Sequence, residues 1–566
     1  MRCEGSNKTM QKMWSILEKI GPWHIPVLLF CAMRGFPAAQ FIMGLTFMAP
    51  AHQDHWCAPP AQFANLSREL WWNYSIPFEP TEEGSLARSR CTVYQREADF
   101  ILSEPVVPDN GTSIQKEPCS EWEYDTSFHS RTVLSEWDVV CQDGWKIGMS
   151  QSILMFGFMV GNFIFSHLSD WRGRRPALIG STLVAFGAGL ATVFSTSLTM
   201  FNFFRFLASL GHGGIQNVSY TLGIESVAPR RRALVSMLQE TGWIVGLILL
   251  PGVAYLITDW TYIQVAITLP LLLMLLNAYF LEESPRWLLV TGKMEEAEKG
   301  VRKIVAKNRV DVKDLSKVIM KAKEKAEMEK KRQKATIVDL FRSWKIAVIS
   351  FSTHIQLAIV VLLYYNLIYK IVDFGGNPFL NFFLVSLLEI PVMVVNVLLI
   401  NFMRRQHIYY ALYIPTCIVC LALIFVPSNL LWLQLSLVML GKLCVHCAYS
   451  TLCVHVTECF PTVVRAVALG SSLTASRFGA IVSPFFKDIG RLTYPWVPSV
   501  LDASCGVTAL CLSLLLPETH KELLPDTFAD TMRLRKKSEP RMRPEVIPMQ
   551  EDKRLEEEDS RSPLAE

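Results

Sequence analysis

Long runs of apolar residues are the feature of this sequence that most limits how it can fold. Each run has about 20 residues, which at about 1.5 Å per residue lets a helix cross about 30 Å of hydrocarbon. The 566 residues are 51% apolar and only 19% charged. Soluble domains of this composition would need unusually apolar surfaces, so the pattern indicates a membrane protein. It argues against a soluble enzyme, a disordered chain and a small secreted disulfide-rich domain.

Twelve membrane spans are predicted by a window of about 19 residues. Because twelve is even, both ends of the chain are expected on the same side of the membrane. The charged leader, residues 1–23, is followed by no small-residue cleavage site, which favours an uncleaved first helix over a signal peptide. The predicted spans are 24–47, 147–168, 177–196, 199–224, 234–257, 260–281, 345–370, 378–401, 407–427, 431–457, 466–489 and 495–516.

Positive residues in the short connections predict the orientation, because Lys and Arg keep loops in the cytoplasm. They cluster after even-numbered spans, so that side, both termini and the linker 283–344 are predicted to be cytoplasmic. A run within the linker, KVIMKAKEKAEMEKKRQK, is typical of a solvated amphipathic helix. The tail 517–566 lacks apolar periodicity and is expected to be disordered. The clustered residues are Arg172, Arg174, Arg175, Arg230, Arg231, Arg232, Arg404, Arg405 and Arg465.

The long segment 50–146, between the first two spans, is predicted to be an extracellular domain. It contains 16 acidic and 7 basic residues. Four cysteines in an oxidising compartment predict two disulfides, with three pairings left open, and three Asn-X-Ser/Thr motifs predict glycosylation. The cysteines are Cys57, Cys91, Cys119 and Cys141, and the glycosylation acceptors are Asn65, Asn73 and Asn110.

Motifs for other chemistry are weak or missing in the sequence. Cys417/Cys420 and Cys444/Cys447 have a zinc-like spacing, but cysteines inside apolar helices usually pack as small apolar residues, so no metal site is predicted. No phosphate-binding G-x-x-x-x-G-K-[ST] loop or hydrolase signature occurs, so no cofactor, no use of ATP and no enzyme activity are predicted. A net charge of +4 gives no reason to expect nucleic-acid binding.

Charged motifs repeat along the chain and predict two six-helix halves, 24–282 and 345–516. Arg174 and Arg175 recur 230 residues later, Glu225 recurs 233 residues later, and Glu283 recurs 235 residues later. Such halves normally enclose a substrate site at their interface near the bilayer midplane. The repeated residues are predicted to form ion pairs that close the cytoplasmic gate. They are Asp170, Arg174, Arg175, Glu225, Arg231, Glu283, Arg286, Arg404, Arg405, Glu458, Arg465 and Glu518.

Six motifs in order resemble the organic cation, anion and zwitterion transporter family, solute carrier family 22, of the major facilitator superfamily. The resemblance covers residues 15–530 or so and implies an all-α polytopic fold, a plasma-membrane location and transport of small organic ions by alternating access, coupled to or exchanged for another ion. A receptor or channel is a remote alternative. The motifs are SHLSDWRGRRP (166–176), ESVAPRRR (225–232), EESPRWLL (282–289), ECFPTVVR (458–465), SRFGAIVSPF (476–485) and LLPETHKELLPDT (515–527).

Ionisable residues inside the spans indicate the charge of the substrate. Arg34, Glu389, Lys442 and Arg477 are all expected about 15–18 Å deep, near the midplane. One carboxylate can neutralise at most one of the three bases, and an unpaired buried cation needs an anion. The sequence therefore favours a substrate that bears a carboxylate.

The resemblance divides between branches of the family. Arg477 matches the anion and zwitterion carriers, and Glu389 matches the cation and zwitterion carriers. Tyr364 and Tyr365 match a tyrosine pair of the anion carriers, and Trp243 lies where relatives place a pocket aromatic. These features favour a carnitine-like zwitterion or an organic anion, with an organic cation as the alternative.

The predicted topology can be tested with epitope tags inserted at residues 110 and 325. The tag at 110 should bind antibody on intact cells, and the tag at 325 should bind only after permeabilisation, because the basic connections hold the linker inside. The opposite pattern would exclude this topology.

Overall fold

The computed structural model describes a protein that is mostly helical. The description covers residues 19–50, 53–60, 67–80, 86–94, 115–228, 231–309, 320, 336–373, 376–427, 429–461, 464–520, 522, 525 and 531. The predictions of glycosylation at Asn65 and Asn110 lie outside these residues, as do nearly all of the charged run in the linker and most of the leader and tail.

Twelve helical spans follow one another in the described part of the chain, and each end lies within four residues of its predicted position. Nine of them are long and apolar enough to cross a membrane by themselves. The other three are spans 4 and 11, which carry more polar residues, and the shorter span 12. In order, spans 1 to 12 are Ile25–Met48, Trp145–Arg172, Arg174–Phe194, Leu198–Ser226, Arg232–Leu256, Trp260–Phe280, Trp344–Asp373, Pro378–Phe402, Arg405–Phe425, Leu431–Cys459, 465–492 and Val497–Ser513.

Several spans are interrupted rather than continuous. Span 6 breaks where Pro270 begins its second segment, and span 11 breaks at Pro484. Proline has no backbone N–H to continue the helical ladder, so a break at these positions costs little. Span 8 is divided at Leu388, directly before Glu389, and span 1 is divided at Arg34. Two of the interruptions thus adjoin residues that the sequence predicted at the substrate site.

The two halves of the protein use the same internal packing. Span 1 packs on span 5 as span 7 packs on span 11, and span 2 packs on span 4 as span 8 packs on span 10. Spans 3 and 4 and spans 3 and 6 are likewise matched by spans 9 and 10 and spans 9 and 12. The chain therefore has the all-α, twofold pseudo-symmetric architecture that the repeats predicted.

The main contacts between the halves lie at one end of the bundle. That end, called the loop side, carries the segment between spans 1 and 2, and the opposite end, called the linker side, carries the segment between spans 6 and 7. Span 5 contacts the first segment of span 8, and span 2 contacts both segments of span 11. Phe379 of span 8 stacks on Phe47 of span 1 at a ring-centroid distance of 5.3 Å and lies 5.8 Å from Tyr255 of span 5. The halves are thus closed against each other on the loop side.

The segment between spans 1 and 2 forms a small domain with three antiparallel strand pairs. Its strands are His55–Cys57 with Trp122–Tyr124, Phe78–Pro80 with Leu86–Arg88, and Thr92–Tyr94 with Lys116–Pro118. Two disulfides are present, as predicted, and the structure selects the pairing Cys57–Cys119 and Cys91–Cys141. The second disulfide ties the domain to the start of span 2.

The disulfide pairing predicts how cysteine substitutions combine. Cys57→Ser, Cys119→Ser and the double variant should lose the same amount of stability, since each removes the same bond, about 2–5 kcal/mol for a small extracellular domain. Combining Cys57→Ser with Cys91→Ser should cost more, because both bonds are lost. The measurement is surface delivery and thermal unfolding of each variant, with Cys511→Ser, an exposed free cysteine, as the control. If the Cys57→Ser, Cys119→Ser variant and the Cys57→Ser, Cys91→Ser variant had equal defects, the pairing Cys57–Cys119 and Cys91–Cys141 would be contradicted.

Candidate substrate site

A central cavity lies between the two halves, where the sequence predicted a substrate site. Its volume is about 120 Å³. Five of the seven predicted substrate-binding residues line it: Arg34, Trp243, Tyr364, Tyr365 and Arg477. The other two, Glu389 and Lys442, lie beside it around a much smaller pocket.

Close packing of span 1 on span 5 places two of these residues at the cavity. A Cβ atom on Gly242 would lie 2.0 Å from the carbonyl oxygen of Ala32, and one on Gly35 would lie 2.4 Å from the backbone nitrogen of Trp243. Only glycine permits such an approach. These two glycines therefore bring Arg34 and Trp243 to the same wall of the cavity.

The guanidinium groups at the cavity have amide partners rather than carboxylates. Arg477 donates from Nη2 to Oε1 of Gln216 at 3.1 Å, and its guanidinium carbon lies 4.7 Å from the centre of the Phe158 ring. Arg34 donates from Nη2 to Oε1 of Gln239 at 2.7 Å. The Nε atom of each arginine is buried without a hydrogen-bond partner among the described residues. Both side chains thus have spare donor capacity at the cavity.

Lys442 and Glu389 form a buried ion pair beside the cavity. Nζ of Lys442 lies 2.7 Å from Oε1 of Glu389, and the side chains are only 5% and 3% exposed. Tyr364 donates its hydroxyl to the same carboxylate oxygen at 2.8 Å. The one carboxylate predicted at the midplane is therefore bonded to Lys442, and not to Arg477.

Several cavity residues were not predicted from the sequence. They could have been found by helical spacing from residues that were: His446 and Tyr449 follow Lys442 by four and seven positions on span 10. Glu240 precedes Trp243 by three positions on span 5. The added lining residues include Gln216, Glu240, His446, Tyr449 and Ser476.

A second, larger cavity of about 440 Å³ lies on the loop side, between the disulfide-bonded domain and the ends of spans 1, 2, 7 and 11. Gln151, Tyr369 and Arg491 are among its lining residues. On span 7, Tyr369 of this cavity stacks with Tyr365 of the central cavity at 6.2 Å between ring centroids. Only a thin layer of side chains therefore separates the two cavities.

A cluster of charged groups joins helix ends of the first half on the linker side. Arg174 donates to both carboxylate oxygens of Glu225, at 3.1 and 3.2 Å, and to Asp170 at 2.9 Å. Glu283 accepts the backbone N–H groups of Arg174 and Arg175, at 2.8 and 3.1 Å. The cluster joins spans 2, 3 and 4 to the segment that follows span 6.

The second half carries the matching cluster. Arg405 donates to both oxygens of Glu458, at 2.8 and 3.0 Å, and Glu518 accepts the backbone N–H groups of Arg405 and Gln406, at 3.0 and 3.2 Å. Burial opposes ionisation of Glu518, but N–H donors from His520, Arg405 and Gln406 hold the pKa of its carboxyl below the usual value. All of these bonds lie within one half.

The structural match between the halves corrects the predicted repeat by one residue. Arg174 corresponds to Arg405 and Arg175 corresponds to Gln406, because these residues make the same contacts 231 positions apart. The sequence had paired Arg174 and Arg175 with Arg404 and Arg405. Arg404 instead is exposed at the start of span 9 and makes no ion pair with another described residue.

Other predicted gate residues lie around these clusters rather than within them. Arg231 is exposed at the start of span 5 and has no ion pair within the described ranges, and Arg286 is at the start of the helix Pro285–Thr291. Arg465 donates to the carbonyl oxygens of Phe460 and Pro525, each at 3.3 Å. The gating role of all these residues stays a prediction.

Comparison with known proteins gives the family. Residues 110–526 match the family described as sugar (and other) transporter. The chain is 31% identical over 529 residues to the organic cation/carnitine transporter 2 of Mus musculus, covering 92% of this chain and 93% of the relative. It is 30% identical to the organic cation transporter protein of Drosophila melanogaster, with 93% and 94% coverage, and 30% identical to the organic anion transporter 3 of Homo sapiens, with 94% and 96% coverage.

The chain belongs to the organic cation, anion and carnitine transporter family of the major facilitator superfamily. Its fold agrees with a solved member of the superfamily: the proton:xylose symporter XylE bound to a sugar analogue matches with a TM-score of 0.56 at 15% identity, over 89% of this chain and 98% of that one. An inward open conformation of XylE from E. coli matches with a TM-score of 0.54 at 18% identity, over 68% and 88%. This family member is thus a transporter and not an enzyme.

The buried ion pair predicts an asymmetric pair of mutational effects. Glu389→Gln leaves the ammonium of Lys442 without a counter-charge and should lower stability by about 3–5 kcal/mol, whereas the double variant Glu389→Gln, Lys442→Met removes both charges and should lose less. Thermal unfolding of the purified protein measures this. The control is Glu296→Gln, whose partner Lys293 is exposed. If the double variant were less stable than Glu389→Gln, the unpaired charge of Lys442 would not be the cause of the stability loss in Glu389→Gln.

Proposed function

We propose that this chain is a secondary carrier of small organic ions that bear a carboxylate, either zwitterions or organic anions. Arg477 is the main anchor of the carboxylate and Arg34 is the second cation of the site. The carrier works by alternating access in the plasma membrane, with both termini in the cytoplasm, and is driven by gradients of the substrate or of a coupled or exchanged ion rather than by ATP.

The charge of the cavity is the observation that supports this substrate class. Arg34 and Arg477 line the cavity with amide oxygens as their hydrogen-bond acceptors, the carboxylate of Glu240 lies near Arg34, and Glu389 is bonded to Lys442. Glu240 is the one carboxylate that lines the cavity, so the described lining has a net positive charge. A carboxylate can accept two parallel hydrogen bonds from a planar guanidinium, and the amide bonds of Gln216 and Gln239 are exchangeable for it.

The match of Glu389 to the cation and zwitterion carriers suggests it as a partner for the cationic end of a zwitterion, but the charge of Glu389 is balanced by Lys442. Glu240 and the aromatic rings of Trp243, Tyr364 and Tyr449 line the cavity and offer a negative group and π faces. The carboxylate of Glu240 at the cavity also favours the alternative function, an organic cation carrier. The similarity to a protein named organic cation transporter protein supports the same alternative.

Two rigid halves support alternating access. Every charged cluster described above lies within one half, whereas the contacts between halves on the loop side are largely apolar, such as Phe47 with Phe379. The halves can therefore separate on the loop side without breaking any of the charged clusters described above. We propose that Arg174 and Arg405 act by keeping each half rigid on the linker side as the halves rock about the cavity.

Substitutions of Arg477 test the carboxylate anchor. Arg477→Lys should lower carboxylate uptake about 10–100-fold, because losing one charge-assisted hydrogen bond costs about 1.5–3 kcal/mol. Arg477→Asp should abolish it by placing two carboxylates together. The measurement is uptake of labelled carnitine, benzoate and tetraethylammonium per surface molecule, with the exposed Arg404→Lys as the control.

A charge exchange separates the anchor from a structural role. Arg477→Asp combined with Glu389→Arg should not restore uptake, because Glu389 is bonded to Lys442 and not to Arg477. Full rescue by that exchange, or unchanged selectivity in Arg477→Asp, would exclude the anchor. Selective uptake of tetraethylammonium by the wild type would favour the cation carrier instead.

A further inference from the structure

Arg205 is a buried cation that the proposed site does not use. It is the eighth residue of span 4, about 10 Å inside the loop-side end, and it is 0% exposed. Its guanidinium carbon lies 5.1 Å from the ring centre of Phe41 and 5.2 Å from that of Phe201. All three of its nitrogen atoms lack a hydrogen-bond partner among the described residues.

Packing alone does not explain this arginine. Two aromatic faces attract the guanidinium, but they satisfy none of its five N–H donors. A buried, unpaired charge inside a membrane protein is costly, and such residues typically mark a substrate or ion pathway. The observation therefore points to a partner that Arg205 meets in another conformation.

The position of Arg205 shows which conformation that is. Its aromatic neighbours Phe41 and Phe201 belong to the first half, and the phenol group of Tyr369 of the second half lies near Arg205. Tyr369 lines the loop-side cavity, and its hydroxyl is also buried without a partner in the described structure. Arg205 thus lies at the layer between the two cavities, where separation of the halves on the loop side would uncover it.

We propose that Arg205 is a second anion-binding group of the transport pathway, which receives the carboxylate of a substrate from the loop side before Arg477 does. When the halves separate, Tyr369 moves away with the second half and the guanidinium faces the widened cavity. When they close again, the carboxylate moves to Arg477 and Tyr369 covers Arg205 once more. This inference rests on the proposed function.

Neutral and conservative variants separate this role from a structural one. Arg205→Met should leave the unfolding temperature unchanged or raised, since it removes an unpaired buried charge, and should raise the KM for benzoate uptake from the loop side at least tenfold. Arg205→Lys should keep part of the uptake. If Arg205→Met instead lowers the unfolding temperature and transport per surface molecule is unchanged, Arg205 is a structural clamp between Phe41 and Phe201.

A labelling experiment tests the site without relying on transport. In intact cells, Arg205→Cys should react with sulfonatoethyl methanethiosulfonate added on the loop side, beyond the wild-type background, because separation of the halves exposes this position. Leu222→Cys, buried on the linker side of the same span, is the matched control and should not react. Modification with the trimethylammonium-ethyl reagent should restore more benzoate uptake than modification with the sulfonate.

The outcomes separate this inference from the proposed function. No labelling of Arg205→Cys, or equal recovery of benzoate uptake with the trimethylammonium-ethyl and sulfonate reagents, would overturn the anion-binding role. If wild-type protein transports none of the carboxylates, the proposed function fails, while labelling of Arg205→Cys still decides whether this position opens to the loop side.

Discussion

The cost of placing a charge in an apolar interior is the constraint on which this structure depends. For Lys442, this cost is offset by an ion pair with Glu389, and Tyr364 donates a further hydrogen bond to the Glu389 carboxylate. On the linker side, the same cost is offset because Arg174 and Arg405 each donate two hydrogen bonds to one carboxylate, that of Glu225 and that of Glu458 respectively. Where a charge is balanced in this way it holds helices together, and where it is not balanced it is available for a ligand.

The distribution of strong and weak contacts divides the molecule into two moving parts. Within each half, charged clusters and tight helix packing join the spans, as at Gly242 against Ala32. Between the halves, the described contacts are aromatic packing and a few single hydrogen bonds, such as Arg477 to Gln216 and Ser152 to the carbonyl of Ile481. Relative motion therefore breaks the weaker set, which is what a central site opening to alternate sides requires.

The same electrostatic argument connects the two cavities. Arg34 and Arg477 at the two walls of the central cavity and Arg205 nearer the loop side each have buried guanidinium nitrogens without a hydrogen-bond partner among the described residues. Their order from the loop side inwards suits the passage of a carboxylate, which would exchange one guanidinium partner for the next. Glu240 and the aromatic walls of the central cavity then distinguish substrates by what they carry besides the carboxylate.

The sequence by itself determined the twelve spans, the two halves, the two disulfides and five of the cavity residues. Apolar runs are local in the sequence, and the thickness of the bilayer sets their length, so the spans can be predicted from them. Arginines are rare inside membrane spans, so those that occur there indicate candidate site residues. Only the tertiary structure decided that Glu389 pairs with Lys442, that Arg174 matches Arg405 rather than Arg404, and that Arg205 has no hydrogen-bond partner in the described part of the chain. Those facts depend on which side chains meet across different spans, and a difference of one residue turns a helix side chain by about 100°, so spacing along the chain cannot supply them.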